Sequence, residues 1–169
     1  MKLILVLHNI RSIYNVGAIL RTAEGLGVSK VAFSGYTPRY NDQKLLPHLR
    51  AKLDRQIEKS ALGAEKMVRQ ESVDDLPEWL KAQEAEGLTI VGLENNLSSE
   101  ENERRVLLND AEKLCGADIV LVLGEEVKGI PEEIREACQY FLEIPMQGRK
   151  ESFNVSVAAG MAMWGLMNN

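Results

Sequence analysis

The chain has few of the residues that signal covalent or metal-based stabilisation. It contains only two cysteines, Cys115 and Cys138, with no C-x-x-C pair and no histidine at a ligand spacing. This argues against a disulfide framework and a structural zinc, and both thiols are expected to be buried and free. No metal is expected. Long hydrophobic runs are also missing. Nothing approaches the roughly 18 to 20 apolar residues needed to cross a membrane, and Leu3-Ile-Leu-Val-Leu7 is too short even for a signal-peptide core. A cytoplasmic protein with no membrane partner is expected. The absence of low-complexity tracts and internal repeats removes disordered, collagen-like and repeat-array classes. Four common catalytic signatures are absent as well: the phosphate-binding G-x-x-x-x-G-K-[ST], the dinucleotide G-x-G-x-x-G, the G-x-S-x-G elbow and the zinc-protease H-E-x-x-H.

What is present suits one ordinary α/β domain. A chain of 169 residues can bury about 70% of its unfolded surface, and its 45% apolar and 27% charged residues are close to average globular usage. The net charge of -5 hides an asymmetry: residues 1–60 carry ten Lys/Arg against four Asp/Glu, and residues 71–118 carry four against thirteen. A basic face for a phosphate-bearing partner and a merely solvated surface both fit the first of these segments.

Short runs of leucine and β-branched residues mark five strands, at Lys2 to His8, Lys30 to Ser34, Leu88 to Gly92, Asp118 to Leu123 and Tyr140 to Ile144. Runs apolar on both faces are the habit of parallel sheets. Between them the spacing predicts helices: one capped by Asn15 and ended by Gly27, one over Asp75 to Gly87, one over Pro131 to Cys138 with proline first, and one over Phe153 to Met167. The last is apolar almost all round and must be covered on both sides, which points to a homodimer interface. The stretch from Gly35 to Ser60, with Pro38, Pro47 and six basic residues, reads as a long functional loop or as short helices.

Open α/β sheets bind ligands outside the carboxyl ends of their strands. Three of the loops there are rich in polar and glycine residues. The first motif is Asn15-Val-Gly-Ala-Ile-Leu-Arg21-Thr-Ala, the second is Leu121-Val-Leu-Gly124-Glu-Glu126-Val-Lys-Gly129-Ile, and the third is Ile144-Pro-Met146-Gln-Gly-Arg-Lys-Glu-Ser152-Phe-Asn154-Val-Ser-Val. Together, in this order and spacing, they resemble the three motifs of the SpoU-like (TrmH-type) RNA ribose methyltransferases of the knotted SPOUT class. The resemblance spans residues 9 to 160.

The resemblance implies a mostly parallel sheet sandwiched by helices, closed by a deep C-terminal trefoil knot that periodicity alone would never suggest. It implies S-adenosylmethionine as methyl donor, a ribose 2'-hydroxyl of tRNA or rRNA as acceptor, and a homodimer. Donor-binding positions carried over are Leu123, Gly124, Ile144, Met146 and Phe153, with the glycine allowing close approach of the main chain. Catalytic positions are Asn15, Arg21, Glu126, Ser152 and Asn154. Arg21 is expected to hold phosphate and the developing alkoxide rather than to act as a base, since a guanidinium stays charged. Asn15, Ser152 and Asn154 would equally suit helix capping. Glu125 and Phe153 depart from the residues usual at their positions, and His8 and His48 have no assigned role. A non-catalytic knotted module that binds RNA or the cofactor is the alternative function.

Many relatives of that class carry an added N-terminal RNA-binding domain, whereas here the first strand starts at residue 3. Residues 1–169 are therefore read as a single methyltransferase domain. RNA contacts are expected from Arg11, Arg39, Lys44, Arg50, Lys52, Arg55, Arg149 and Lys150, with solvated-loop charge as the alternative.

Overall fold

A computed structural model describes residues 1–114 and 116–168. Its strands are β1 (Leu3–His8), β2 (Lys30–Ser34), β3 (Gln70–Val73), β4 (Thr89–Leu93), β5 (Arg105–Leu107), β6 (Ile119–Leu123) and β7 (Tyr140–Glu143). They form one parallel sheet in the order β3-β2-β1-β6-β4-β7-β5. All five expected strands are present. The two additional ones, β3 and β5, are the sheet's edges, where a strand needs no continuous apolar run.

Alternation along the strands separates two apolar layers. Leu3, Leu5 and Leu7 pack with helices α1 (Ile13–Gly25), α2 (Pro47–Ala61) and α5 (Val155–Met167). Ile4 and Val6 pack on the other face with α3 (Leu76–Ala85) and α4 (Glu132–Arg135). The central strand β6 is buried along its whole length, as expected of a strand covered on both sides.

Several boundaries differ from the sequence reading. Asn15 is not the cap of α1: Ser12 is, its Oγ accepting from the Asn15 N–H at 3.3 Å, which leaves the Asn15 side chain free for other contacts. Pro131 precedes α4 as its cap, and the helix is a single turn. Residues 153 and 154 lie outside α5, with Asn154 as its cap. Most of the second half of the Gly35 to Ser60 stretch is a helix, α2, that starts at Pro47 and runs on to Ala61, proline's fixed φ and missing N–H costing nothing at its first position. Gly17 lets α1 approach α2 closely: a Cβ there would lie 2.7 Å from the Ile57 carbonyl oxygen. Cys138 is buried and free, and burial pushes its thiol up to about 12. Cys115 lies outside the described residues. No described helix is long and apolar enough to cross a membrane.

Two carboxylates of the acidic segment after β4, Glu94 and Glu101, are gathered by one arginine. Ser98 and Glu101 form a capping box: the Ser98 N–H donates to Glu101 Oε2 at 2.7 Å and the Glu101 N–H to Ser98 Oγ at 3.2 Å. Arg135 donates to both oxygens of Glu101 at 2.6 Å, lies 3.4 Å from Glu94, and donates to the Asn96 carbonyl at 2.9 Å. The guanidinium holds the Glu101 carboxyl at about 2, against an ordinary 4.5. A carboxyl depressed in the folded state adds stability that is present above the unfolded value and lost as pH falls towards the folded one. Arg135→Leu is expected to cost about 3 kcal/mol at neutral pH, because it leaves poorly solvated carboxylates unpaired. The gap from wild type should narrow as pH drops from about 4.5 towards 2, as chemical denaturation at several pH values would check. A constant gap across that window would contradict the assignment.

Candidate active site

Parallel pairing of β1 with β6, β6 with β4 and β4 with β7 brings four carboxyl-terminal loops to one edge of the sheet. The loops after β4, β6 and β7 enclose a cleft of about 320 Å³, lined by Leu93 to Asn96, Leu123 to Gly129, Arg135, Ile144, Glu151 to Phe153, Val155 and Ala158. That volume is at the lower end of the range usual for small-molecule sites.

The wall formed by the loop after β6 requires glycine. Glu125 and Gly129 pair in an antiparallel bridge, with N–H···O distances of 3.1 and 2.9 Å. A Cβ on Gly124 would sit 2.4 Å from the carbonyl carbon and oxygen of Gly129 and 2.5 Å from the Ile130 nitrogen. Glu94 braces the same loop, accepting from the Ile130 N–H at 3.2 Å.

The opposite wall is held by an asparagine that sequence reasoning missed. Asn95 Nδ2 donates to the Ile144 carbonyl at 2.9 Å, and its Oδ1 accepts from the Ile144 N–H at 3.2 Å. The amide thus extends the β4–β7 ladder one step past the strands, where the two chains would otherwise separate. No local signal marks it, because its partner is 49 residues away.

Three of the expected catalytic side chains meet beside the cleft, Glu126 on its lining and Asn15 and Asn154 outside it. Asn154 Nδ2 donates to Asn15 Oδ1 at 3.3 Å, and Asn15 Nδ2 donates to Glu126 Oε1 at 3.3 Å. One residue from each motif is joined in a single chain. Asn154 meanwhile caps α5, its Oδ1 accepting from the Ser156 N–H at 2.9 Å, so capping and site roles coexist. Ser152, Leu123, Gly124, Ile144 and Phe153 line the cleft. Met146 lies just past Ile144 and is not among the lining residues. Arg21 is exposed on α1, about 9 Å further along the axis than Asn15 by helical rise, and outside the cleft.

His8, at the end of β1, is tied into the scaffold. Asn9 Nδ2 donates to its Nε2 and its Nδ1 faces Ser34 Oγ, both at 2.9 Å. Burial lowers its pKa against the opposing pull of Glu133, so a neutral ring with the proton on Nδ1 satisfies both contacts.

The basic residues are less uniform than their charges suggest. Arg11 pairs with Glu125 at 2.9 Å, Arg39 with Asp42 at 2.9 Å and Lys44 with Asp74 at 2.5 Å, while Arg50 donates to Gln43 at 2.6 Å. Lys52, Arg55, Arg149 and Lys150 are exposed.

The model of the SpoU rRNA methylase family matches residues 2–164. The chain belongs to that family. Among curated relatives of this SpoU-family chain, the 23S rRNA (guanosine-2'-O-)-methyltransferase RlmB of Pseudomonas putida is 32% identical over 162 residues, which is 96% of this chain and 57% of that protein. The human mitochondrial rRNA methyltransferase 1 is 33% identical over 168 residues, again 96% of this chain but 44% of the relative. The chain thus spans about half the length of the curated relatives it matches. A solved TrmH/SpoU tRNA modifying enzyme of A. aeolicus superposes with a TM-score of 0.77 at 28% identity, covering 98% of this chain and 74% of that one. The AdoMet-bound rRNA methyltransferase of Sinorhizobium meliloti shares the fold at 22% identity, with a TM-score of 0.77 over 98% of this chain and 55% of the other.

Proposed function

We propose that residues 1–169 form the catalytic domain of an S-adenosylmethionine-dependent methyltransferase acting on a ribose 2'-hydroxyl of rRNA or tRNA. The observation that carries this reading is the Asn154–Asn15–Glu126 chain, which joins all three motifs beside the cleft. Relatives named as rRNA 2'-O-methyltransferases and a neighbour solved with AdoMet support it.

The cleft's chemistry fits the donor. Apolar Leu93, Leu123, Ile144 and Phe153 offer a slot for a flat base, and Glu126 and Glu151 add carboxylates suited to a cation, Glu94 and Glu125 being paired with Arg135 and Arg11. When bound, S-adenosylmethionine supplies an electrophilic methyl group on a positively charged sulfur. Leu123, Gly124 and the Asn95-braced Ile144 hold the donor in place. Met146, a donor-binding position by its motif, stands two residues past Ile144 and outside the lining, and Ser152 lies on the cleft wall.

Asn15 and Glu126 fix the geometry on the acceptor side, so that the ribose oxygen meets the methyl group in line. Arg21 binds the flanking phosphate and steadies the negative charge that develops as the hydroxyl gives its proton to solvent water. Since Arg21 stands away from the cleft of its own chain, it acts from a second copy or closes on the site with bound RNA. The second copy has a surface to cover: Val157 and Trp164 on α5 are 50% and 61% exposed. A C-terminal knot is part of this proposal, and the insertion of β6 between β1 and β4 and of β7 between β4 and β5, all earlier strands, is compatible with it. The enzyme is expected to act in the cytoplasm.

Calorimetric titration with S-adenosylmethionine should show one site per chain, and RNA binding should weaken steeply with salt as Lys52, Arg55, Arg149 and Lys150 release counterions. A flat salt dependence would remove these residues from the RNA face, and no cofactor heat would overturn the proposal.

A further inference from the structure

Beside the Asn154–Asn15–Glu126 chain runs a second one that none of the three motifs explains. Glu125, immediately before Glu126, is 9% exposed and lines the cleft. Its Oε1 pairs with Arg11 at 2.9 Å. The Arg11 guanidinium lies over the ring of Tyr36, 5.7 Å from the centroid, and its Nε faces the Tyr36 hydroxyl at 3.4 Å. The two chains thus leave the cleft wall from consecutive residues. One ends in the catalytic asparagines and the other in an aromatic ring.

The ring is both exposed and anchored. Tyr36 is 51% exposed and the Arg11 side chain 67%, yet the loops that carry them are stitched together. The Tyr36 N–H donates to Asn9 Oδ1 at 3.2 Å, the Thr37 hydroxyl donates to the Leu7 carbonyl at 2.9 Å, and it accepts from the Ile10 N–H at 3.0 Å. Asn9 in turn is held by His8. At Gly35, with φ +61°, a Cβ would collide with Asn9 Oδ1, so glycine lets the two loops touch. A half-exposed tyrosine in such a frame has already lost much of the freedom that binding would otherwise cost.

Resting on the proposed function, we propose that Tyr36 and Arg11 form a stacking platform for an unpaired base beside the reacting ribose, so that the enzyme selects single-stranded RNA at its target. A flat aromatic face next to a guanidinium is the surface on which splayed bases stack, and it is inaccessible to a base held in a duplex. The segment that carries both residues suits a nucleic acid rather than an apolar protein segment, since residues 1–60 carry ten basic against four acidic side chains. Glu125 acts as the positioning residue that holds Arg11 against the ring.

Fluorescence anisotropy with a short single-stranded oligoadenylate, and with a ribose-phosphate strand of equal length lacking bases, tests the platform. Wild type should prefer the oligoadenylate. Tyr36→Leu should lose about tenfold in affinity for it, as expected for one stacked base, and bind the baseless strand as wild type does. Tyr36→Trp should retain the preference. Thermal midpoint and S-adenosylmethionine affinity should be unchanged in both variants, which a merely structural role for Tyr36 would not allow. The platform is overturned if wild type binds both strands equally or neither, or if Tyr36→Leu matches wild type on the oligoadenylate. Failure of the broader reading is distinct: wild type would transfer no methyl to any RNA while the Tyr36-dependent preference persisted.

Discussion

Replacing Arg21 by alanine is expected to lower methyl transfer by about a thousandfold while leaving S-adenosylmethionine affinity within about twofold, the size of effect seen when a preorganised donor to a developing oxyanion is removed. The separation follows from position. Arg21 is exposed on α1 and outside the cleft, so truncating it removes neither a wall nor a brace. Arg21→Lys should recover only part of the loss, because an ammonium restores charge without the planar fork that grips a phosphate. Single-turnover measurements with saturating cofactor would isolate the step. Unchanged activity in Arg21→Ala would remove this residue from the mechanism and weaken the enzymatic reading against the non-catalytic one.

Gly124→Ala is expected to act in the opposite way, by destroying the cofactor site. Its Cβ would fall 2.4 Å from two main-chain atoms of Gly129, and main chain in a bridged loop cannot rotate aside as a side chain can. The Glu125–Gly129 bridge must open, moving the whole wall that carries Glu125 and Glu126. A displacement of that order costs about a hundredfold in transfer, and overpacking a closed turn costs about 2 kcal/mol in stability. Calorimetry should show cofactor affinity falling at least tenfold, in contrast to Arg21→Ala. Wild-type affinity in Gly124→Ala would mean that the loop after β6 does not contact the donor.

Most of the fold could be read from the sequence where burial leaves a pattern. The aliphatic runs of β1, β2, β4, β6 and β7 occupy the interior of the sheet. The edges β3 and β5, by contrast, read Gln-Glu-Ser-Val and Arg-Val-Leu, too polar or too short for an alternation signal. The sequence does not distinguish the cap of α1, because Ser12 and Asn15 are both good capping residues at a spacing of three, and only the structure shows that Ser12 turns its side chain to the backbone. The α2 helix was obscured by the prolines and basic residues around it, since only Ile57 and Ala61 are buried on it.

For the site, residues that belong to local motifs were legible and residues that act across the sheet were not. Asn15, Glu126 and Asn154 were found through their motifs. Asn95, Glu94 and Arg135 brace the same cleft through contacts spanning 34 to 49 residues, and nothing in a linear sequence reports such a contact. The Tyr36–Arg11–Glu125 line was hidden for the same reason, although Glu125 had already stood out as unusual at its position.

The most direct measurement is to incubate the purified protein with S-adenosylmethionine labelled on its methyl group and total cellular RNA, fractionate the RNA by size, and digest the labelled species to nucleosides. The expected result is label on a 2'-O-methylated nucleoside from an rRNA or tRNA fraction, abolished by Arg21→Ala. Label on a base, or cofactor binding with no label in any RNA, would contradict ribose methylation as the function of this chain.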